Sequence, residues 1–376
     1  MPDFDIAVCG VGAMGSAALY HLARRGLRVV GIDRATPGHD GGSSHGLTRM
    51  IRLSYFEHPS YVPLLRRAYA LWHDLEQAVG RSLLHRTGIL EIGPAGGPLV
   101  SSTLAAARLH GLPHEILGAH ALMTRYPAFQ VPTNYVAVLQ PDGGFVEAAA
   151  AIAAHLALAT ANGAELRIGE TIAAIEPRRD GVRIVTDRGA IDSGTAIVAA
   201  GPWATKLLPD ARLPLRVTRQ VLGWFKPLDA ALFANGRCPM FLLETRHGLH
   251  YGIPLAAEPG LKFAKHHHAE ETVDPDACDR TVSARDEALI RAALAEHLPA
   301  ANGPMVAANT CLYTMTPDGD FIIDRLPNAP RVIVTSPCSG HGFKFAPMIG
   351  EILCDLVSTG STAHDISRFR LSRFED

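Results

Sequence analysis

The sequence predicts an α/β fold in which a parallel-sheet domain, built from several separated pieces, is interleaved with a second domain inserted between them. Three observations carry this. A strand-helix-strand unit opens the chain, buried strand-like segments recur far downstream, and 376 residues are too many for one ordinary core. One domain is expected at 1–85, 143–211 and 305–376 and the other at 86–142 and 212–304.

Residues 4–9 are apolar and β-rich, 13–24 form an Ala/Leu-rich helix, and 27–33 form a second buried strand ending at Asp33. Together they make a βαβ unit. Gly10-Val11-Gly12-Ala13-Met14-Gly15 lies on its turn and matches G-x-G-x-x-G, the Rossmann-type dinucleotide fingerprint. The first glycine permits the tight turn, the second the approach of a pyrophosphate, and the third close helix–strand packing. The anion then rests on the helix N-terminus. Asp33, with Arg34 beside it, ends the second strand, where a carboxylate accepts ribose hydroxyls. The fingerprint alone does not separate NAD from FAD. The absence of a second copy and the rest of the chain favour FAD.

Further along, a Gly/Ser/His-rich loop at 41–46 precedes an amphipathic helix at 61–79, and an alanine-rich helix spans 147–162. Strands follow at 165–168, 172–177 and 182–186, and a buried strand closes on Ala200-Gly201. Between 212 and 304, strand-like 217–225, 240–244 and 250–253 accompany a charged helix at 284–297. Strands at 321–324 and 332–335 and a helix at 347–357 complete the chain.

Composition sets the outer bounds. Hydrophobic residues make up 47% and charged residues 19%, as in soluble globular proteins. A net charge of -2 gives no electrostatic reason to expect nucleic acid or an anionic membrane. No apolar run approaches bilayer length, and the N-terminus enters a strand with no basic region or cleavage site, so a cytoplasmic protein is expected. The six cysteines form no C-x-x-C pair, which argues against a zinc knuckle or disulfide scaffold. His266-His267-His268 is the only histidine cluster. Consecutive side chains diverge, so no metal is expected there.

Four further segments bear a family likeness. They are Gly42-Ser43-Ser44-His45-Gly46-Leu47-Thr48-Arg49-Met50-Ile51-Arg52 with Tyr55; Tyr251-Gly252-Ile253-Pro254 with Gly260-Leu261-Lys262-Phe263; Thr310-Cys311-Leu312-Tyr313-Thr314; and Ser339-Gly340-His341-Gly342-Phe343-Lys344-Phe345. In this order, over nearly the whole chain, they resemble the monomeric sarcosine oxidase and N-methyltryptophan oxidase family of flavoproteins. The resemblance implies a glutathione-reductase-like FAD domain and a substrate domain with a mixed sheet. It also implies oxidation of a secondary amino acid at the carbon next to nitrogen, with hydrolysis of the imine and release of hydrogen peroxide. The expected partners are therefore a small secondary amino acid and dioxygen, in a monomer.

The resemblance also distributes roles. Cys311 becomes the thioether link to the flavin, in place of an ordinary buried cysteine. Cys338 is its awkward rival, standing where the family usually has a large apolar residue. Lys262 faces the flavin and promotes the reaction with oxygen, while Lys265, three residues on, falls on the other face of a strand. Arg49 and His45 flank the flavin ring, and His266 lies near the substrate. Ser43, Ser44, Thr48, Gly340, Gly342 and Phe343 join the cofactor-binding set with Ala13, Met14, Ala200 and Gly201. Arg52 and Lys344 clamp the substrate carboxylate, Arg52 through its planar fork, and Tyr55 and Tyr251 close the pocket. Met240-Phe241-Leu242-Leu243 is expected as pocket wall. Substrates of the pipecolate, proline or fructosyl amino acid type, a carrier-linked dehydrogenase and a flavin-binding protein without catalysis are the alternatives.

Overall fold

In the computed structural model, residues 2–234, 236–255 and 259–375 are described. The strand Phe4–Cys9 lies at the centre of an eight-stranded sheet, parallel to Gly189–Val198 on one side and Val29–Asp33 on the other. Ala329–Ser336 also runs parallel to Gly189–Val198. The carboxyl ends of these four strands therefore share one edge, and the chain continues from them at Gly10, Arg34, Ala199 and Pro337. In open α/β sheets ligands bind along that edge. Helices Ala13–Arg24, Ala148–Ala161 and Ala346–Ser358 supply the apolar layer on one face. Gly350 sits so near Ala17 that an added Cβ would lie 2.6 Å from a backbone carbon.

The second sheet, also eight-stranded, runs Met305–Met315, Arg216–Phe225, Leu261–Lys265, Gly248–Ile253, Met240–Thr245, Ile89–Pro94, Tyr135–Gln140 and Glu115–Gly118. Its two faces follow the period of two along each strand. Phe225, Phe241, Leu243, Phe263, Leu90 and Ile92 pack with Ile290, Ala293 and Leu294 of the helix Ala284–His297. Ser283 and Asp286 cap that helix reciprocally. The opposite face carries Gln220, Leu222, Leu242, Tyr251, Lys262, Cys311 and Tyr313, and looks toward the first sheet. A three-stranded sheet of Thr48–Ile51, Gly144–Glu147 and Leu84–Arg86 joins the two. Among the described residues no helix is long and apolar enough to cross a membrane.

One expectation shifts. The strand Met305–Met315 pairs along Arg216–Phe225, with Cys311 opposite Gln220. The segment expected to return to the cofactor domain at 305 thus stays in the second sheet until 315. Eleven residues without a turn signal make one long ladder more favourable than an early crossing.

The two sheets are also tied by a surface loop. Asp276 forms ion pairs with Arg34 (2.8 Å) and Lys206 (2.5 Å) and accepts the indole N–H of Trp203 (2.8 Å). The Arg34 guanidinium lies 3.9 Å over the Trp203 ring. Arg280 donates to the carbonyls of Asp40 and Gly41.

Candidate active site

Between the sheets lies a cavity of about 510 Å³, within the range of small-molecule and cofactor sites. It begins at the carboxyl edge of the first sheet, where Gly10, Gly12, Ala13, Met14, Asp33 and Arg34 line it. It continues past Ser43, Ser44, Thr48, Arg49, Ala200 and Gly201, and ends among Arg52, Tyr251, Lys262, His266, Cys311, Gly340, Gly342, Phe343 and Lys344.

The residues at the first end fit a dinucleotide. Gly10 has φ +94°, and a Cβ on it would meet the Ala199 carbonyl oxygen at 2.7 Å. The first-turn N–H groups of the helix Ala13–Arg24 have no intrahelical acceptor, and its N-cap, Gly12, offers no side chain. Ser44 Oγ accepts from Ala13 N (3.1 Å). The Asp33 carboxylate accepts from the N–H groups of Val11 (2.9 Å) and Ala35 (3.0 Å), and each oxygen keeps a lone pair for a hydroxyl. Gly15 does not line the cavity. A Cβ there would fall 1.8 Å from the Gly10 carbonyl oxygen, so it serves the helix–strand contact.

At the other end two lining atoms, Gln220 Oε1 and Thr335 Oγ1, are buried with no hydrogen-bond partner among the described residues. Buried polar groups are normally paired, so these atoms fit the polar edge of a ring system bound there. Cys311 lies beside them, 5% exposed, with long contacts from Sγ to Ser43 O (3.9 Å) and Leu312 O (3.8 Å). Burial pushes its thiol up, and the nearby Arg49 and Lys262 partly oppose that. Cys338 lines the same cavity, and burial raises its thiol to about 11.

Lys262 is 2% exposed, with Nζ donating to Thr48 O (3.2 Å) and Oγ1 (3.3 Å), and it lies opposite Trp224 and Ile253 in the ladder. Lys265 pairs with His250 on the alternate face. Arg49 donates to the carbonyls of Thr48 (2.9 Å), Ser43 (3.2 Å) and His45. His45 itself stands behind the wall and is absent from the lining; burial lowers its imidazole to about 4. His266 lines the cavity and burial holds it neutral. His268 turns away to Asp286 (2.8 Å), which also pairs with Arg219 (3.0 Å).

Arg52 lines the cavity but already has partners. Nη2 donates to both Glu57 oxygens (2.8 and 2.6 Å) and Nε to Glu91 (3.1 Å). Lys344 Nζ donates to the His341 carbonyl at 2.6 Å, and burial, then Arg52, lowers it to about 7. Tyr55, expected to close the pocket, lies behind the wall instead, fully buried. His341 Nε2 is 2.9 Å from the Gly319 carbonyl, so it carries the proton. Nδ1 then accepts from Tyr55 Oη at 2.7 Å, and that bond holds the tyrosine. Of the expected wall Met240-Phe241-Leu242-Leu243, only Leu242 lines the cavity, because alternation turns Phe241 and Leu243 into the opposite core. Sequence reasoning overlooked Glu57, Gln220, Thr335 and Trp203, which line the cavity, and Glu91 behind it.

A dinucleotide cradle that opens directly onto a chamber walled by Arg52, Lys262 and Lys344 defines a cofactor-dependent oxidoreductase. The chain belongs to the FAD dependent oxidoreductase family, whose model matches residues 5–356. It is 39% identical over 375 residues to monomeric sarcosine oxidase of Bacillus sp. (strain NS-129), covering 98% of this chain and 97% of that protein. To N-methyl-L-tryptophan oxidase of Yersinia pestis (strain Pestoides F) it is 36% identical, covering 99% and 100%. Among solved structures, NikD, described as an unusual amino acid oxidase essential for nikkomycin biosynthesis, superposes with a TM-score of 0.87 at 28% identity, covering 98% and 97%. L-proline dehydrogenase from P. horikoshii shares the fold, with a TM-score of 0.86 at 21% identity over 100% and 99%.

Proposed function

We propose that this chain is an oxidase of N-methyl amino acids whose FAD is bonded to Cys311 through a thioether. The observation that carries the reading is the single cavity that runs from the Gly10 turn to Cys311 and ends beside Arg52, Lys262 and Lys344. The names of the sarcosine and N-methyl-L-tryptophan oxidases support the same substrate class. When bound, the flavin supplies the hydride acceptor and returns the electron pair to dioxygen.

The chain's own groups do the rest. Arg52 and Lys344 hold the substrate carboxylate through charge-assisted hydrogen bonds, Tyr251 and His266 wall the amine, and Lys262 presents a fixed cation where dioxygen takes up charge. The substrate amine loses a hydride and a proton to become an imine, which water hydrolyses. Dioxygen gains two electrons and two protons to become hydrogen peroxide. Residues 1–85, 143–211 and the chain after 315 form the cofactor domain in this reading, and the enzyme acts as a cytoplasmic monomer.

The test is peroxide release from a panel of sarcosine, other N-methyl amino acids and cyclic secondary amino acids, with oxygen consumption measured alongside. Stoichiometric peroxide with an N-methyl amino acid is expected. No turnover with any of them refutes the activity. Separately, the flavin should remain with the acid-precipitated polypeptide, and Cys311→Ser should release it. A colourless wild-type precipitate refutes the bond alone.

A further inference from the structure

Glu91 stands in the middle of the apolar strand Ile89–Pro94, fully buried, on the same face as Ile89 and directly beside Leu242 in the ladder. A carboxyl group in such surroundings is costly unless it is paired. Here Oε1 accepts from Arg52 Nε at 3.1 Å, and the buried Thr103 hydroxyl is a second hydrogen-bonding neighbour of the carboxyl. Burial raises this carboxyl to about 8, so it is mainly neutral near pH 7 and acts as a hydrogen-bond acceptor.

The guanidinium it holds is fixed on every side but one. The rings of Tyr55 and Phe56 lie 4.4 and 4.7 Å from it, and Glu57, itself on the cavity wall, takes Nη2. Without Glu91, Nε would be a buried donor with nothing to accept it, and the fork would be free to rotate toward Glu57.

We propose that Glu91 is a positioning residue for substrate binding: it holds Arg52 by Nε from the second sheet while Glu57 holds Nη2, so that the remaining corner of the guanidinium, Nη1, is set for a substrate carboxylate in the cavity. The proposal rests on the amino acid oxidase reading, and its test separates the two. Acetate serves as the probe, because its binding to the flavin-loaded protein, read as a shift in the visible flavin spectrum, needs no turnover.

Glu91→Gln keeps the acceptor and should bind acetate within threefold of wild type. Glu91→Leu removes the acceptor and should weaken acetate at least tenfold, raising KM for sarcosine by a similar factor with kcat nearly unchanged. Glu91→Asp, which retains the carboxyl but draws it back by one methylene, gives an intermediate, several-fold weakening and covers the case in which the leucine variant does not fold. Unchanged acetate binding in Glu91→Leu or Glu91→Asp overturns the proposal. So does a glutamine variant as weak as the leucine one, or a loss confined to kcat. Acetate binding that follows this order in a protein that oxidises no secondary amino acid would sustain Glu91's role and refute the activity.

Discussion

Gly12 and Gly15 lie three residues apart in one fingerprint, yet the structure assigns them different work, and alanine at each should separate the two. At Gly15 the added Cβ would sit 1.8 Å from the Gly10 carbonyl oxygen, 2.9 Å from its carbon and 3.2 Å from Val8 Cγ1. The nearest two atoms are backbone, so the helix Ala13–Arg24 must move off the strand Phe4–Cys9 by more than an ångström. Overpacking of this severity costs about 3 kcal/mol. With an unfolding entropy of about 2.1 cal/mol/K per residue, a cooperative melt of all 376 residues would lose about 4 °C. At Gly12 the only close neighbour among the described residues is the Ser44 side chain, with Oγ at 3.1 Å, which needs to shift by only a few tenths of an ångström. The methyl group there projects where a pyrophosphate must lie. The assay is thermal unfolding of cofactor-free protein from riboflavin-limited cells, together with the flavin content of protein from replete cells. Gly15→Ala should melt lower without cofactor, whereas Gly12→Ala should melt like wild type and bind at least tenfold less flavin. A cofactor-free Gly15→Ala as stable as wild type, or a Gly12→Ala protein with full flavin, refutes the reasoning.

Three other outcomes follow from the same geometry. Lys262→Met should slow reoxidation by dioxygen about 10²-fold or more, the scale of one lost charge-stabilising group; stopped-flow reduction by substrate under nitrogen should change little, and equal slowing of both halves would disprove the assignment. Acetate should bind more weakly as pH rises from 6 to 9. Lys344 loses its charge near 7 and Glu91 gains one near 8, both against an anion, while burial keeps His266, His341 and Tyr55 neutral and Arg52 stays charged beside Glu57. Spectral titration checks this, and a flat or inverted profile contradicts it. Asp286→Ala should destabilise the protein by about 3 kcal/mol, because Arg219 and His268 would both lose their buried acceptor. The Asp286 carboxyl is held below its usual range, so the stability it contributes is present above the ordinary aspartate pKa and lost as acid protonates it. Denaturant melts at pH 7 and pH 3 should show the mutational difference shrinking in acid.

The parts of this molecule that were legible in the sequence are those set by local spacing. The strand–turn–helix around Gly10, the helix over Tyr61–Val79 and the opposite facing of Lys262 and Lys265 each follow from a period of two or 3.6 along one segment. What stayed hidden depends on which strands lie side by side. Leu242, Tyr251 and Glu91 form one row only because Ile89–Pro94, Met240–Thr245 and Gly248–Ile253 are neighbours, although the first is about 150 residues away in the chain. A lone glutamate among Ile89, Leu90 and Ile92 gives no local sign that an arginine 39 residues earlier supplies its partner. Tyr55 escaped for a similar reason: its hydroxyl is taken by His341, 286 residues on.

The loop that carries Asp276 and Arg280 has a bearing on how a cofactor is retained. It lies across the end of the cleft marked by Arg34, Trp203 and Lys206, so a flavin held in the cavity would be enclosed there while the loop is docked. Release of such a cofactor at this end would require the loop to leave those contacts. An ordinary ligand stabilises the native state only in proportion to its free concentration. One enclosed at this end and bonded at the other would go on stabilising its host after dilution, as part of the polypeptide's own interior.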